Sequence, residues 1–213
     1  QYASMNTPGN KFRDAIADNK PLMVVGAVNA YCAKMAEKAG HKALYLSGAG
    51  VANASFGLPD LAITTLNDVA EDSRRITQAT NLPLLIDIDT GFGGAFSISR
   101  TIKEMIAADV AAVHIEDQVT QKRCGHRPNK SLVDKIEMTD RIKAAVDSRT
   151  DDSFFIMART DSYASEGMQG AIDRCNEYIS AGADGLFLEA VSSLEDYKPV
   201  SYTHLTLPTT GVV

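Results

Sequence analysis

The sequence lacks a surplus of positive charge, a metal-binding cysteine pattern and any long apolar run. Its formal net charge is -6 at pH 7, which argues against a nucleic-acid partner. Cys32, Cys124 and Cys175 show no Cys-x-x-Cys or Cys/His spacing, so we do not expect structural zinc. An odd number of cysteines indicates a reducing, cytoplasmic setting. No apolar run approaches the ~20 residues that span a bilayer, so we expect no membrane partner.

Six short apolar runs alternate with segments of helical periodicity. Continuous apolarity is typical of strands that are buried on both faces of a parallel sheet. Thr65 and Asp68 resemble a capping box, and Gly40 and Gly182 are placed to end helices. The predicted strands are 22–28, 43–47, 84–89, 112–116, 154–159 and 185–189.

Polar side chains collect at the carboxyl ends of five of these six predicted strands. In a (β/α)₈ barrel every strand delivers side chains to that end, whereas an open doubly wound sheet binds ligands only at its switch point. The distribution therefore favours an α/β fold of the (β/α)₈ TIM-barrel type. The basic cluster around Cys124 is too local for a nucleic acid, so we expect a small anionic ligand. The residues are Ser47, Asp87, Asp89, His114, Glu116, Arg159 and Glu189.

The chain is shorter than a complete barrel. Such barrels have ~250 residues, and only six of the eight strands are visible in 213 residues. The last stretch, 201–213, has no acidic or basic residue except His204 and no helical period. We therefore expect one catalytic domain over 1–200, a barrel truncated near Lys198 after about six βα units, followed by a non-native tail at 201–213.

One loop places a thiol among cationic side chains. In the run KRCGHRPNK (122–130), Cys124 is surrounded by five cationic or potentially cationic residues. Positive charge beside a thiol favours the thiolate, which is the form that attacks electrophiles and exchanges protons readily. The run therefore predicts a reactive Cys124; the alternative is a buried, inert cysteine.

Two carboxylates predict a site for a hard metal ion. Asp87 and Asp89 end one predicted strand, and alternation would point both side chains the same way, about 7 Å apart. Oxygen ligands without His or Cys suit Mg²⁺ or Mn²⁺, and Asp60 and Glu116 could hold metal-bound waters. Alternatively, Asp87 or Asp89 caps a helix or turns the glycine-rich segment 91–94.

The segments 47–50 and 91–94 are rich in glycine, and each follows a predicted strand. Their backbone N–H groups could approach a carboxylate or phosphate closely, although neither segment is a P-loop or a dinucleotide fingerprint. Arg159 could clamp a carboxylate in a bidentate manner. It could equally pair with Glu189 or Asp161.

Seven motifs together resemble the isocitrate lyase and phosphoenolpyruvate mutase superfamily, over about residues 6–198. They lie nearest the branch that cleaves 2-methylisocitrate. The resemblance implies Mg²⁺-dependent, retro-Claisen cleavage of this tricarboxylate to pyruvate and succinate, in propionate breakdown by the methylcitrate cycle, and a homotetrameric full-length protein. The motifs are LYLSGAGVA (44–52), LPD (58–60), DIDTGFG (87–93), HIEDQ (114–118), KRCGHRPNK (122–130), MARTD (157–161) and FLEA (187–190).

The resemblance also implies residue roles. Cys124 would protonate the succinate carbanion, and Tyr45 would handle the hydroxyl proton. Two alternatives stay open: cleavage of isocitrate to glyoxylate and succinate, and an inactive partial barrel that only binds metal and dicarboxylate. Lys122 and His126 would tune the thiol. The implied catalytic residues are Cys124, Tyr45, Lys122, Arg123 and His126, the implied substrate contacts are Ser47, Gly48, Ala49, Gly125, Arg159 and Glu189, and the implied metal residues are Asp87, Asp89, Asp60 and Glu116.

Overall fold

Six parallel strands form one sheet and follow one another in the order of the chain. The computed structural model describes residues 6–192, 195, 196 and 198, so the predicted tail at 201–213 lies outside the described residues. Consecutive order without a switch point is the topology of a (β/α)₈ barrel, which confirms the predicted fold type. The strands are β1 (Val24–Gly26), β2 (Ala43–Leu46), β3 (Leu84–Asp87), β4 (Ala112–Glu116), β5 (Phe155–Thr160) and β6 (Gly185–Leu188).

Helical segments connect the strands, and their ends follow local rules. The capping box is confirmed, since the Thr65 N–H donates to Asp68 Oδ2 at 2.7 Å. Gly40 and Gly182, with φ of 93° and 104°, take the left-handed conformation that ends a helix. The helices are α1 (Pro8–Asp18), α2 (Ala30–Lys38), α3 (Gly48–Gly50), which runs into a π-helix (Val51–Ser55), α4 (Leu66–Thr77), α5 (Ala95–Ala107), α6 (Lys135–Asp147) and α7 (Tyr163–Ser180).

Apolar side chains cover both faces of the sheet. The larger apolar cluster includes Leu44 and Ile86 of the strands and Ile102 of α5. The smaller cluster gathers residues from the starts of several strands around Phe12 of α1, whose ring lies 5.4 Å from that of Phe155 in an edge-to-face contact. Helix α1 therefore covers the amino end of the sheet and leaves the carboxyl end for a site.

Within the described residues, none of the helices combines the length and the apolar character that a membrane span requires.

Candidate active site

The carboxyl ends of β2 to β6 bring polar side chains together although the residues are far apart in sequence. Parallel register places Asp87 beside His114, and Glu116 beside Arg159. Most of these side chains are almost completely buried, so their charges interact through a medium of low dielectric constant. The residues are Tyr45, Asp87, His114, Glu116, Arg159 and Glu189.

Asp87 and Asp89 approach one another more closely than strand alternation predicts. Asp89 lies beyond the end of β3 with a φ of 49°, and its N–H donates to Asp87 Oδ1 at 2.9 Å. The Gly48 N–H donates to Asp87 Oδ2 at 3.2 Å. A Cβ at Gly48 would lie 3.1 Å from oxygens of both carboxylates, so glycine lets the backbone reach them.

The three carboxyl groups at the ends of β3 and β4 have different proton affinities. Burial opposes ionisation of Asp87, but nearby His114, Arg159 and Lys122 outweigh it and lower its pKa to about 2. Burial and the charge of Asp87 raise the pKa of Asp89 to about 7. Burial also raises the pKa of Glu116 well above its usual value. Asp87 is therefore the group that is ionised at every physiological pH.

Lys122 supplies the positive charge that compensates these carboxylates. Its ammonium group contacts Asp60 and lies 2.6 Å from Asp89 Oδ1, and the residue is 3% exposed. Burial alone would lower its pKa, but the charges of Asp89, Asp87 and Glu116 raise it above the usual value. Besides the predicted role beside the thiol, Lys122 thus has direct contacts with two carboxylates.

Glu116 is buried without hydrogen-bond partners. Neither of its carboxylate oxygens accepts a hydrogen bond within the described part of the chain, and the nearest cation is Arg159, with Nε 3.4 Å from Oε2. A buried polar group without a partner is costly, and a ligand or an ordered water is the usual way to satisfy it.

The oxygen-rich group at these strand ends fits a hard cation. Among the described residues no three His, Cys, Asp or Glu side chains are arranged to hold a metal ion by themselves. Mg²⁺, however, takes only one or two protein carboxylates and keeps several waters. An ionised Asp87 supplies a direct ligand, and the unsatisfied oxygens of Glu116 can accept hydrogen bonds from bound water.

Tyr45 and His114 form a buried pair. Tyr45 Oη lies 2.9 Å from His114 Nε2, and His114 Nδ1 lies 3.7 Å from Asp87 Oδ1. Burial lowers the pKa of His114 to about 4 and raises that of Tyr45 above its usual value, so both groups are neutral at pH 7. His114 is missing from the residues predicted to form the site, although its place at a strand end, two residues before Glu116, signalled it.

Arg159 has both of the partners that the sequence suggested. Its guanidinium group donates to Asp161 through Nε at 2.9 Å and Nη2 at 3.2 Å. Nε also lies 3.7 Å from Glu189 Oε2. The guanidinium group stacks over Phe187, with the Arg159 Cζ atom 5.6 Å from the ring centroid. These contacts hold the guanidinium in one orientation at the centre of the site.

The loop that carries Cys124 packs against Arg159 and Glu189. A Cβ at Gly125 would lie 2.3 Å from Glu189 Oε1 and 2.4 Å from Arg159 Nη2, so any larger residue there would displace the Glu189 or Arg159 side chain. His126 is mostly exposed, with 78% of its side chain accessible, and its Nδ1 lies 3.2 Å from Glu189 Oε1.

A cavity of about 560 Å³ opens beside the thiol. Cys124 is a free, partly buried cysteine, and it shares the cavity with the predicted site residues Ala49, Asp60 and Arg123. Ser47, also predicted, accepts a hydrogen bond from the Gly50 N–H at 3.3 Å and thereby caps α3. The remaining lining residues are Asn53, Pro59, Leu61, Arg127, Pro128 and Asn129.

Comparisons with known proteins agree with this architecture. Residues 12–208 match the family described as phosphoenolpyruvate phosphomutase. The chain is 64% identical over 190 residues, 89% of its length, to a Shewanella oneidensis protein named 2-methylisocitrate lyase, and it spans 65% of that relative's length.

Two solved structures are similar to the fold. One is 2,3-dimethylmalate lyase, with a TM-score of 0.86 and 36% identity over 96% of this chain and 68% of that one. The other is phosphonopyruvate hydrolase in complex with oxalate and Mg²⁺, with a TM-score of 0.78 and 28% identity over 97% and 70%. The chain belongs to the phosphoenolpyruvate mutase and isocitrate lyase superfamily, as its motifs predicted.

Proposed function

We propose that the protein cleaves the C2–C3 bond of 2-methylisocitrate to give pyruvate and succinate. The observation that carries the proposal is the thiol-bearing loop, which packs through Gly125 onto Arg159 and Glu189 beside buried carboxylates. A thiol acid on a loop that packs next to an oxygen-rich cation site suits a reaction that develops a carbanion and an oxyanion on the same substrate. The name of the Shewanella oneidensis relative gives the substrate.

Asp87 and Asp89 would hold Mg²⁺, or Mn²⁺, with Asp60 and Glu116 binding its waters. When bound, the cation neutralises negative charge that develops on the substrate hydroxyl oxygen as the C–C bond breaks. The oxalate and Mg²⁺ complex of the related phosphonopyruvate hydrolase supports a divalent cation and a dicarboxylate ligand. Arg159 and the backbone N–H groups of 47–49 and Gly125 would orient the substrate carboxylates.

The first proton transfer is assigned to Tyr45. Its Oη would accept the substrate hydroxyl proton while passing its own proton to Nε2 of neutral His114, 2.9 Å away. The former O–H electron pair then forms the C=O bond of pyruvate. The electron pair of the C2–C3 bond goes to C3, which becomes a carbanion beside a carboxylate group.

Cys124 would donate its thiol proton to this carbanion and complete succinate. The thiolate that remains recovers a proton from the Tyr45 and His114 pair through solvent, so the proton count closes over one turnover. Because a carbanion is protonated rapidly by water, the loop over Arg159 and Glu189 must stay closed until the thiol has acted.

The assay is the release of α-keto acid from 2-methylisocitrate and, separately, from isocitrate, with Mg²⁺ and a reductant. We expect pyruvate from the methylated substrate and a weaker release of glyoxylate from isocitrate, since one methyl group changes binding by only about 1–3 kcal/mol. Preferred release of glyoxylate would identify an isocitrate lyase instead. No product, with the Shewanella oneidensis relative active in parallel, would leave a chain that only binds metal and dicarboxylate.

Substitution of the thiol tests the acid. Cys124→Ser should abolish product release but retain binding of oxalate, because the hydroxyl is a far weaker acid while the cation site and Arg159 are unchanged. Calorimetric titration of oxalate in the presence of Mg²⁺ measures the binding. Normal turnover by Cys124→Ser would contradict the assignment.

We also propose a cellular compartment, a pathway and an oligomeric state for the enzyme. The chain's three cysteines are free, as thiols are in a reducing compartment such as the cytoplasm. A homotetramer in the methylcitrate cycle follows from the resemblance to the family. Analytical ultracentrifugation of the purified protein tests the assembly.

A further inference from the structure

Lys130 is a buried cation at the far end of the thiol-bearing loop. Its side chain is 6% exposed, and its ammonium group lies 3.0 Å from Asp161 Oδ1. The same ammonium group donates to the carbonyl oxygen of Gly125, five residues earlier and next to Cys124. Lys130 therefore ties the loop to the carboxyl end of β5 while folding the loop back on itself.

The backbone on the other side of Cys124 is held by a second buried side chain. Gln118 accepts from the Arg123 N–H at 3.1 Å and donates through Nε2 to the Arg123 carbonyl at 2.9 Å. The Arg127 N–H donates to the Cys124 carbonyl at 2.8 Å. Three consecutive residues around the thiol thus have their carbonyl groups occupied, two of them by side chains from outside the turn.

The two holding groups differ in what they depend on. The Gln118 amide is neutral and lies two residues after the end of β4. The Lys130 ammonium depends on Asp161, whose carboxylate also receives the bidentate contact from Arg159. Charge-assisted hydrogen bonds are stronger and more directional than neutral ones. One buried carboxylate therefore fixes both the Arg159 guanidinium and the loop that carries the thiol.

We propose that Lys130 is a positioning residue that holds the Cys124 loop closed over Arg159 and Glu189 by bridging Asp161 and the Gly125 carbonyl. It touches neither substrate nor reacting atoms; it acts through the place of the thiol. The catalytic consequence rests on the proposed function, whereas the mechanical consequence for the loop does not.

The test compares Lys130→Met with Lys130→Arg and with the matched control Lys143→Met, a lysine whose side chain is 60% exposed on α6. Hydrogen exchange of the backbone amides of 123–127 reports loop opening without any substrate. Loss of one charge-assisted hydrogen bond corresponds to about 10-fold or more in the opening equilibrium. We expect this acceleration in Lys130→Met, partial recovery in Lys130→Arg, and the wild-type rate in Lys143→Met.

Steady-state kinetics supply the second readout. Because displacement of a catalytic group by about 1 Å lowers turnover about 100-fold, kcat should fall by that factor in Lys130→Met. KM should change far less, since Arg159 keeps its contact with Asp161. Lys130→Arg should recover part of kcat.

The possible outcomes separate the two proposals. Wild-type exchange in Lys130→Met would overturn the holding role, and faster exchange with an unchanged kcat would overturn its part in catalysis. If no substrate is turned over by the unsubstituted protein but exchange still accelerates in Lys130→Met, the proposed function fails and the holding role stands.

Discussion

Glu116 and Asp117 are neighbours in the chain and are both fully buried, but their carboxylates have opposite surroundings. Asp117 accepts hydrogen bonds from Thr160 Oγ1 at 2.6 Å, Tyr178 Oη at 2.8 Å and the Asp161 N–H at 2.9 Å. Glu116 accepts none within the described residues. Successive side chains on a strand point to opposite faces, so one carboxylate enters the site and the other enters the layer of helices.

The comparison shows that a buried carboxylate can stabilise the fold or remain available to a ligand, depending on its hydrogen bonds. Asp117 joins β4 to β5 and to Arg174 of α7, whose Nη1 lies 3.3 Å away and also donates to the Val133 carbonyl at 2.9 Å. Its pKa is raised by burial, against the hydrogen bonds that it accepts. Glu116 has a raised pKa and accepts no compensating hydrogen bond from the part of the chain that the structure describes. A satisfied buried carboxylate holds the fold, whereas an unsatisfied one is available to a ligand.

The largest expected effect comes from Asp117→Asn. The amide would place donors against the hydroxyl groups of Thr160 and Tyr178 and would leave Arg174 without its buried counter-charge. Loss of one partner of a buried ion pair costs about 3–5 kcal/mol, and we expect the free energy of unfolding to fall by about 3 kcal/mol. Urea unfolding measures it.

The control is Asp140→Asn, at a carboxylate whose side chain is 69% exposed on α6. That variant should keep its unfolding midpoint. Equal midpoints for Asp117→Asn and Asp140→Asn would show that Asp117 stabilises the fold no more than an exposed carboxylate does.

Glu116→Gln should weaken metal binding and product release more than it lowers stability. Glu116 accepts no hydrogen bond from the described residues, and its raised pKa weakens the negative charge that it presents to Arg159. The free energy of unfolding of the metal-free protein should therefore fall far less than in Asp117→Asn. Residues that hold metal-bound water contribute about 10–100-fold to affinity or activity, so Mn²⁺ binding, followed by electron paramagnetic resonance, and product release should both weaken by that factor. A variant that melts early but binds Mn²⁺ normally would invert the roles of the two carboxylates.

The smallest expected effect concerns pH. Burial, and then the charge of Asp117, raises the pKa of Cys175 from 9.0 to about 12. The unfolded chain releases this proton before the folded one, so stability is full below the unfolded pKa and falls as pH rises above it. One group can contribute up to about 1.4 kcal/mol per pH unit, which gives a loss of about 1 kcal/mol between about pH 8.5 and 10.

Cys175→Ala removes the thiol and should flatten this slope, as measured by urea unfolding across the same pH range. Cys32→Ala serves as the control, because Cys32 is partly exposed, and it should keep the wild-type slope. A steep slope that persists in Cys175→Ala would show that the thiol near Asp117 ionises normally.

Much of the fold could be predicted from local patterns. All six strands were expected within about two residues of their observed ends, because apolar runs of that length have few alternatives in a parallel sheet. The capping box at Thr65 and the left-handed Gly40 depend only on neighbouring residues. The placement of Lys122 could not be predicted in this way, because its ammonium group contacts carboxylates on two other segments of the chain.

The sequence by itself determined the repeated βα units, the polar strand ends and the concentration of cationic residues in the loop at 122–130. Only the tertiary structure decided which buried groups are satisfied: within the described residues Asp117 accepts hydrogen bonds while Glu116 accepts none, and Asp161 serves both Arg159 and Lys130. The physical reason is that desolvation and hydrogen bonding depend on atoms within a few ångströms. At this site those atoms come from segments tens of residues apart.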